Sequence, residues 1–172
     1  MTDSDPVQLK KMVESISANE RVVLLAAFDA ILASAPASLQ FLSQRTGLAP
    51  VVVADATNHL VDLGLLACNE AGLVVGSWGL TLVPTSHQLR MLGGSYYTWC
   101  AEDAVGIPAA LNVDAAIASS CFQCGQKVAI ELEHGEVVKA MPQDRVIDGK
   151  RRMIKRWQNG KSSCGGWWHR RS

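Results

Sequence analysis

The chain has 172 residues, of which 48% are hydrophobic, so it is long enough for one ordinary domain or two small ones with an apolar core. Residues 1–148 hold all 16 acidic residues and 8 of the 16 basic ones, so they carry a net charge of −8 and residues 149–172 carry +8. The acidic N-terminus argues against a secretion signal, and no apolar run reaches the roughly 18–20 residues of a membrane span. The basic tail could contact nucleic acid, a membrane surface or the acidic remainder of the chain, and we favour the last.

Helices are predicted throughout the first half of the chain, at residues 6–16, 21–32, 38–46 and 50–63. The second of these is apolar on nearly every side from Val22 to Leu32, which predicts a central, buried helix. Gly47 and Gly64 follow the third and fourth helices and are typical C-terminal stops, while Pro50 suits the first turn of the fourth.

A short helix, a tight turn and a second helix form a helix-turn-helix pattern, and the residues that follow predict a hairpin. The hairpin strands are residues 65–68 and 73–75, which would form a wing. The predicted fold class is therefore α+β, with a winged-helix-like domain in residues 1–80 and a small mixed sheet and helix domain in residues 81–172. The second helix of this helix-turn-helix, residues 50–63, carries Asp55 and Asp62 but no Lys or Arg. We therefore expect a scaffold rather than a DNA-reading unit.

Strands and one helix are predicted in the second half. The strands are residues 80–83, 87–91, 115–119 and 127–132, and the helix is residues 99–111. Pro84 should stop the first strand, and Pro108 should end or kink the helix. His87 lies among the short strands and is interpreted as structural.

A thiol and a carboxylate stand three residues apart in the segment Tyr97-Thr98-Trp99-Cys100-Ala101-Glu102-Asp103. At this spacing on a helix, Cys100 and Asp103 share one face with their Cβ atoms roughly 5–6 Å apart. A thiolate binds soft metals and a carboxyl group can carry a proton. Two structural alternatives stay open: Cys100 as a small buried side chain, and Asp103 as a cap at the helix start.

Five cysteines are present: Cys68, Cys100, Cys121, Cys124 and Cys164. Their odd number and irregular spacing favour reduced thiols, metal ligands or nucleophiles over a disulfide framework. Cys68 is expected to pack in the core from its wing strand. Cys121 and Cys124 form a C-x-x-C turn, which is only half of a zinc-type site and leaves a structural role, a metal contact or a disulfide open.

Three segments together resemble the alkylmercury (organomercurial) lyase family: Gly79 to His87, Tyr97 to Asp103, and Ile107-Pro108-Ala109. The resemblance covers about residues 20–135, and the preceding helix-turn-helix and wing are similar to the family's N-terminal domain. The resemblance implies protonolysis of a carbon–mercury bond in the cytoplasm without a cofactor. It also implies that free thiols assist the release of Hg(II), and that the metal is transferred to a mercuric reductase.

Carried over residue by residue, the resemblance implies that Cys100 is one mercury-binding thiolate and Asp103 the acid that protonates the leaving carbon. It implies a second thiolate near the C-terminus, and Cys164, in the segment Cys164-Gly165-Gly166-Trp167-Trp168-His169, is the residue chosen. Two other functions remain as alternatives: a family member that binds soft metal without lyase activity, and a winged-helix regulator that senses metal and binds DNA.

Overall fold

The computed structural model describes residues 15–121 and 124–142, which combine helices with antiparallel strands. These residues divide into two compact units between Val83 and Pro84, called here the first and the second unit. The helix predicted for residues 6–16 lies almost wholly outside the described residues, as does the basic tail.

The described residues of the first unit contain three helices: α1 Ala18–Leu32, α2 Leu39–Thr46 and α3 Pro50–Asp62. Helix α1 starts with a capping box in which the Ser17 hydroxyl accepts from the Glu20 N–H and the Glu20 carboxylate accepts from the Ser17 N–H. Ser38 caps α2, and Gly47 ends it in the left-handed conformation. The sequence-based prediction of α2 and α3 is therefore confirmed to within about two residues.

Helix α1 is less buried than its composition predicted. Val23, Leu24, Ala27 and Ile31 are fully buried, but Leu25 is 59% exposed, and the nearby Val22 is also exposed. The prediction of burial on nearly every side was therefore wrong, because the side of the helix that carries Val22 and Leu25 is exposed.

Three short antiparallel strands complete the first unit: β1 Leu66–Cys68, β2 Val74–Ser77 and β3 Leu80–Thr81. The predicted hairpin is present, with Leu66 opposite Ser77. The predicted strand at residues 80–83 is shorter than expected, since it ends at Thr81, well before Pro84.

In its described residues, the second unit contains five antiparallel strands and one helix. Its elements are β4 His87–Met91, β5 Gly94–Thr98, α4 Ala101–Leu111, β6 Ala115–Ser120, β7 Lys127–Glu133 and β8 Glu136–Met141, and the strand order is β5-β4-β6-β7-β8. Alternate residues such as Leu89, Ile117 and Ile130 are buried, and α4 packs on β4, β5 and β6. Helix α4 starts at Ala101, shortly after β5 ends at Thr98.

Helix α4 differs from the prediction at its start and agrees with it at its end, Leu111. It begins at Ala101 rather than Trp99, because Cys100 is extended (φ −146°, ψ 173°) and forms the N-cap. Pro108 does not end the helix, which continues to Leu111 and stops at Asn112 in the left-handed conformation. Proline lacks the N–H group of one helical hydrogen bond. The helix tolerates this loss at Pro108 because the residue lies in its last turn.

None of the helices in the described part of the chain combines the length and apolar character needed to cross a bilayer.

Candidate functional site

Cys100 and Asp103 meet at the N-terminus of α4 as the two halves of a capping box. The Asp103 N–H donates to the Cys100 Sγ at 3.4 Å, and the Cys100 N–H donates to the Asp103 Oδ2 at 3.1 Å. This geometry satisfies two of the free backbone N–H groups at a helix start. Asp103 thus caps the helix, as the structural alternative predicted. The same capping contacts bring its carboxylate next to the Cys100 thiol.

The sulfur and the carboxylate also contact each other directly. The Cys100 Sγ lies 3.0 Å from the Asp103 Oδ2, and the thiol donates to the carboxylate. Burial, together with the negative charge of Asp103, raises the pKa of the Cys100 thiol from 9.0 to about 12. The thiol therefore keeps its proton at neutral pH, and that proton points at a base.

A buried hydroxyl supports the same helix start from the preceding strand. Thr98 is 0% exposed, and its Oγ1 donates to the Cys100 carbonyl oxygen at 2.8 Å. The Thr98 carbonyl in turn accepts from the Thr85 hydroxyl at 2.8 Å. The sequence analysis did not predict this contact. The only sign of it in the sequence is a threonine two residues before Cys100.

His87 lies in β4, where its Nδ1 is 3.1 Å from the Ser119 Oγ. Burial lowers the pKa of His87, so the imidazole is neutral near pH 7. The Thr85 hydroxyl accepts from the His87 N–H at 3.1 Å, which links this strand to the Thr98 carbonyl. These contacts agree with the structural role expected for His87.

Three further cysteines, Cys68, Cys121 and Cys124, lie in the part of the chain that the structure describes. Cys121 is buried, Cys124 is exposed, and no three His, Cys, Asp or Glu side chains cluster within the described ranges. Cys68 is also exposed, so the prediction that it packs in the core was wrong: it closes the short strand β1 at a surface turn. Cys164 lies outside the described residues.

An open depression of about 520 Å³ lies elsewhere in the second unit, around the turn between β4 and β5. It is lined by Arg90, Met91, Leu92, Gly93, Gly94, Asp114, Ala115, Glu131, Leu132, Glu133 and Val138. Since Gly94 and Thr98 are the two ends of β5, this depression is at the far end of the strand from Cys100.

Comparisons with known proteins identify relatives of this chain. A family model described as alkylmercury lyase matches residues 80–168. The alkylmercury lyase of Staphylococcus epidermidis is 34% identical over 112 residues, which are 65% of this chain and 50% of that protein. The alkylmercury lyase of Streptomyces lividans is 34% identical over 117 residues, covering 63% of this chain and 54% of its own length.

A solved structure has a similar fold. The mercury-bound form of MerB2 aligns with a TM-score of 0.74 at 22% identity, covering 78% of this chain and 65% of that one. At this identity the likeness establishes the fold alone. The chain spans about half the length of the curated relatives it matches.

Proposed function

The chain belongs to the alkylmercury lyase family, whose model matches residues 80–168, and we propose that it cleaves carbon–mercury bonds by protonolysis, releasing a hydrocarbon and Hg(II). The observation that carries this proposal is the 3.0 Å contact between the Cys100 thiol and the Asp103 carboxylate. A soft metal prefers a thiolate, and cleavage of the bond requires a proton at the carbon. The contact offers both groups in one place.

The raised pKa of the Cys100 thiol, about 12, sets the order of events. An organomercurial cation can bond to the sulfur only as the thiol proton leaves, and the Asp103 Oδ2 is the base to which that proton already points. Transfer leaves a sulfur–mercury bond and a protonated carboxyl group beside it. The carboxyl group then returns the proton to the carbon, and the electron pair of the carbon–mercury bond forms the new C–H bond.

A second thiolate completes the site in this proposal, and Cys164 is the residue assigned to it. Two sulfur donors place more electron density on mercury than one, which weakens the bond to carbon and retains the Hg(II) product. Cys164 falls within residues 80–168, the span that the family model matches.

The first unit is assigned a scaffolding role within a winged-helix-like domain of residues 1–80, which is followed in the sequence by a catalytic domain of residues 81–172. Helices α2 and α3 followed by the β1–β2 hairpin support the winged-helix assignment. Helix α3 carries Asp55 and Asp62 without Lys or Arg, which disfavours binding to phosphates. A DNA-binding regulator is therefore the weaker alternative.

The chemistry requires mercury only as part of the substrate and product, and no further cofactor. Free thiols would exchange with the two cysteine ligands to release Hg(II), and a mercuric reductase is the partner that would receive it. Because the reaction uses reduced thiols, it is assigned to the cytoplasm.

Release of the hydrocarbon tests this function. The reduced protein is incubated with phenylmercury and excess small-molecule thiol, and benzene is measured in the headspace. We expect catalytic release from the wild type and none above background from Cys100→Ser, because serine does not bind soft mercury.

Cys68→Ser is the matched control, since Cys68 is an exposed thiol of the first unit and should not contribute. Tight binding of phenylmercury without any benzene would contradict the lyase function and favour a soft-metal-binding member of the family. Salt-dependent binding to one specific DNA fragment, with no benzene, would favour the regulator.

A further inference from the structure

We infer that Thr98 is a positioning residue, whose hydroxyl holds the start of α4 in place while the thiol and carboxylate that cap the helix take part in the reaction. This inference rests on the proposed function. It starts from an unusual property of the cap: both of its side chains, those of Cys100 and Asp103, are also the reacting groups.

A cysteine is a weak helix cap to begin with. The favoured cap residues carry an oxygen, whereas sulfur accepts hydrogen bonds poorly, and the N–H to Sγ distance here is 3.4 Å. The first backbone bond of the helix is long as well, with the Ala104 N–H 3.3 Å from the Cys100 carbonyl oxygen. The helix start therefore depends on restraints other than the sulfur.

Both arms of the cap also weaken during the proposed reaction. When mercury binds the sulfur, the lone pairs that accept from the Asp103 N–H are drawn to the metal. When Asp103 takes the thiol proton, its carboxyl group becomes neutral and accepts less strongly from the Cys100 N–H. The cap thus loses strength at the stage when the carboxyl proton and the carbon must stay aligned.

The Thr98 hydroxyl acts on a different atom, the Cys100 carbonyl oxygen, at 2.8 Å. That atom takes no part in sulfur–mercury bonding or in proton transfer, so the bond persists through the reaction. Thr98 is itself fixed, since it is fully buried in β5 and its carbonyl accepts from Thr85 at 2.8 Å. It transmits the rigidity of the sheet to the reacting pair.

The experiment compares Thr98→Val, which removes the hydroxyl at nearly constant shape, with Thr98→Ser, which keeps it. We expect Thr98→Val to lower the kcat for benzene release from phenylmercury about tenfold or more, since small misalignments are costly in such steps. The KM should stay within about twofold, because sulfur–mercury bonding is untouched, and Thr98→Ser should restore the kcat.

The matched control is Thr81→Val in the first unit, where a buried hydroxyl donates to the Val75 carbonyl oxygen at 3.0 Å. This variant loses the same kind of bond and should leave the kcat unchanged. A kcat of Thr98→Val within twofold of the wild type, or an equal loss in Thr81→Val, would overturn the inference.

Amide hydrogen exchange provides a readout that does not need turnover. Phenylmercury in excess over the cysteines occupies the sulfurs whether or not benzene forms, and exchange is followed at Asp103 and Ala104. We expect Thr98→Val to speed this exchange more strongly in the mercury-loaded protein than in the metal-free one. Absence of benzene from the wild type would reject the proposed function alone, whereas equal exchange in Thr98→Val and wild type under loading would reject the role of Thr98.

Discussion

At the residue scale, Cys100 and Asp103 show that a structural role and a chemical role can use the same contacts. Their spacing predicted that the side chains would meet, and the 3.0 Å distance confirms it. The raised pKa of the thiol could not be read from the spacing, because it comes from burial and from the orientation of the carboxylate.

Asp103→Asn separates these two roles. The oxygen of the new side-chain amide can still accept from the Cys100 N–H, so the helix start should survive, but the amide cannot carry the proton. We expect benzene release to fall at least a hundredfold, within the usual range for loss of a general acid. The neighbouring Glu102→Gln, on the same helical turn, keeps the acid and should retain activity.

The same Asp103→Asn variant has a second expected outcome, in the pH dependence of Cys100. Only the thiolate is alkylated, so a pKa of about 12 leaves little reactive sulfur at pH 9 in the wild type. Removing the negative charge lowers the pKa towards 9.0, and alkylation of Cys100 by iodoacetamide at pH 9 should become faster. An unchanged alkylation rate, measured by peptide mass spectrometry, would show that Asp103 does not hold the thiol proton.

At the scale of elements, the sequence predicted those whose ends carry strong local signals. Helix α2 ends at Gly47, the stop that the sequence predicted. Strands β5 and β8 were missed, because β5 contains Gly94 at its start and Ala140 is the one buried residue of β8. Their formation depends on pairing with β4 and β7, which are distant constraints that no local pattern displays.

One close approach fixes the far end of α4. Gly135, in the turn between β7 and β8, has φ +73°, and a Cβ there would lie 2.9 Å from the Ala109 Cα. Its N–H donates to the Val113 carbonyl oxygen at 2.9 Å. The hairpin and the helix can meet at this distance only because residue 135 has no side chain.

We therefore expect Gly135→Ala to lower the free energy of unfolding by about 2–4 kcal/mol, from the left-handed backbone and the steric overlap together. The control is Gly93→Ala in the same unit, with φ +76° and no atom within 4 Å of the added Cβ. This variant should lose about 1–2 kcal/mol of unfolding free energy, from the strained left-handed backbone alone. Urea denaturation measures both, and equal losses would show that the helix yields to the added methyl group at no cost.

At the scale of the whole molecule, the charge is divided between residues 1–148, with −8, and residues 149–172, with +8. The first cysteine of the proposed site lies in the acidic part and the second, Cys164, in the basic part. Opposite charges attract, which favours approach of the two parts within one chain. A second donor in the basic part has to reach Cys100 through a long-range contact, which sequence spacing alone does not determine.

Cys164→Ser tests that contact. With Cys100 as the single sulfur donor, phenylmercury should still bind, but the carbon–mercury bond is not weakened by a second thiolate, so benzene release should fall to background. Cys124→Ser is the matched control, because it removes an exposed thiol of the second unit and should leave the rate unchanged. Benzene is measured by gas chromatography and the retained phenylmercury adduct by intact-protein mass spectrometry. Wild-type rates in Cys164→Ser, with loss of activity in Cys121→Ser instead, would transfer the role of second donor to Cys121, the buried cysteine that follows β6.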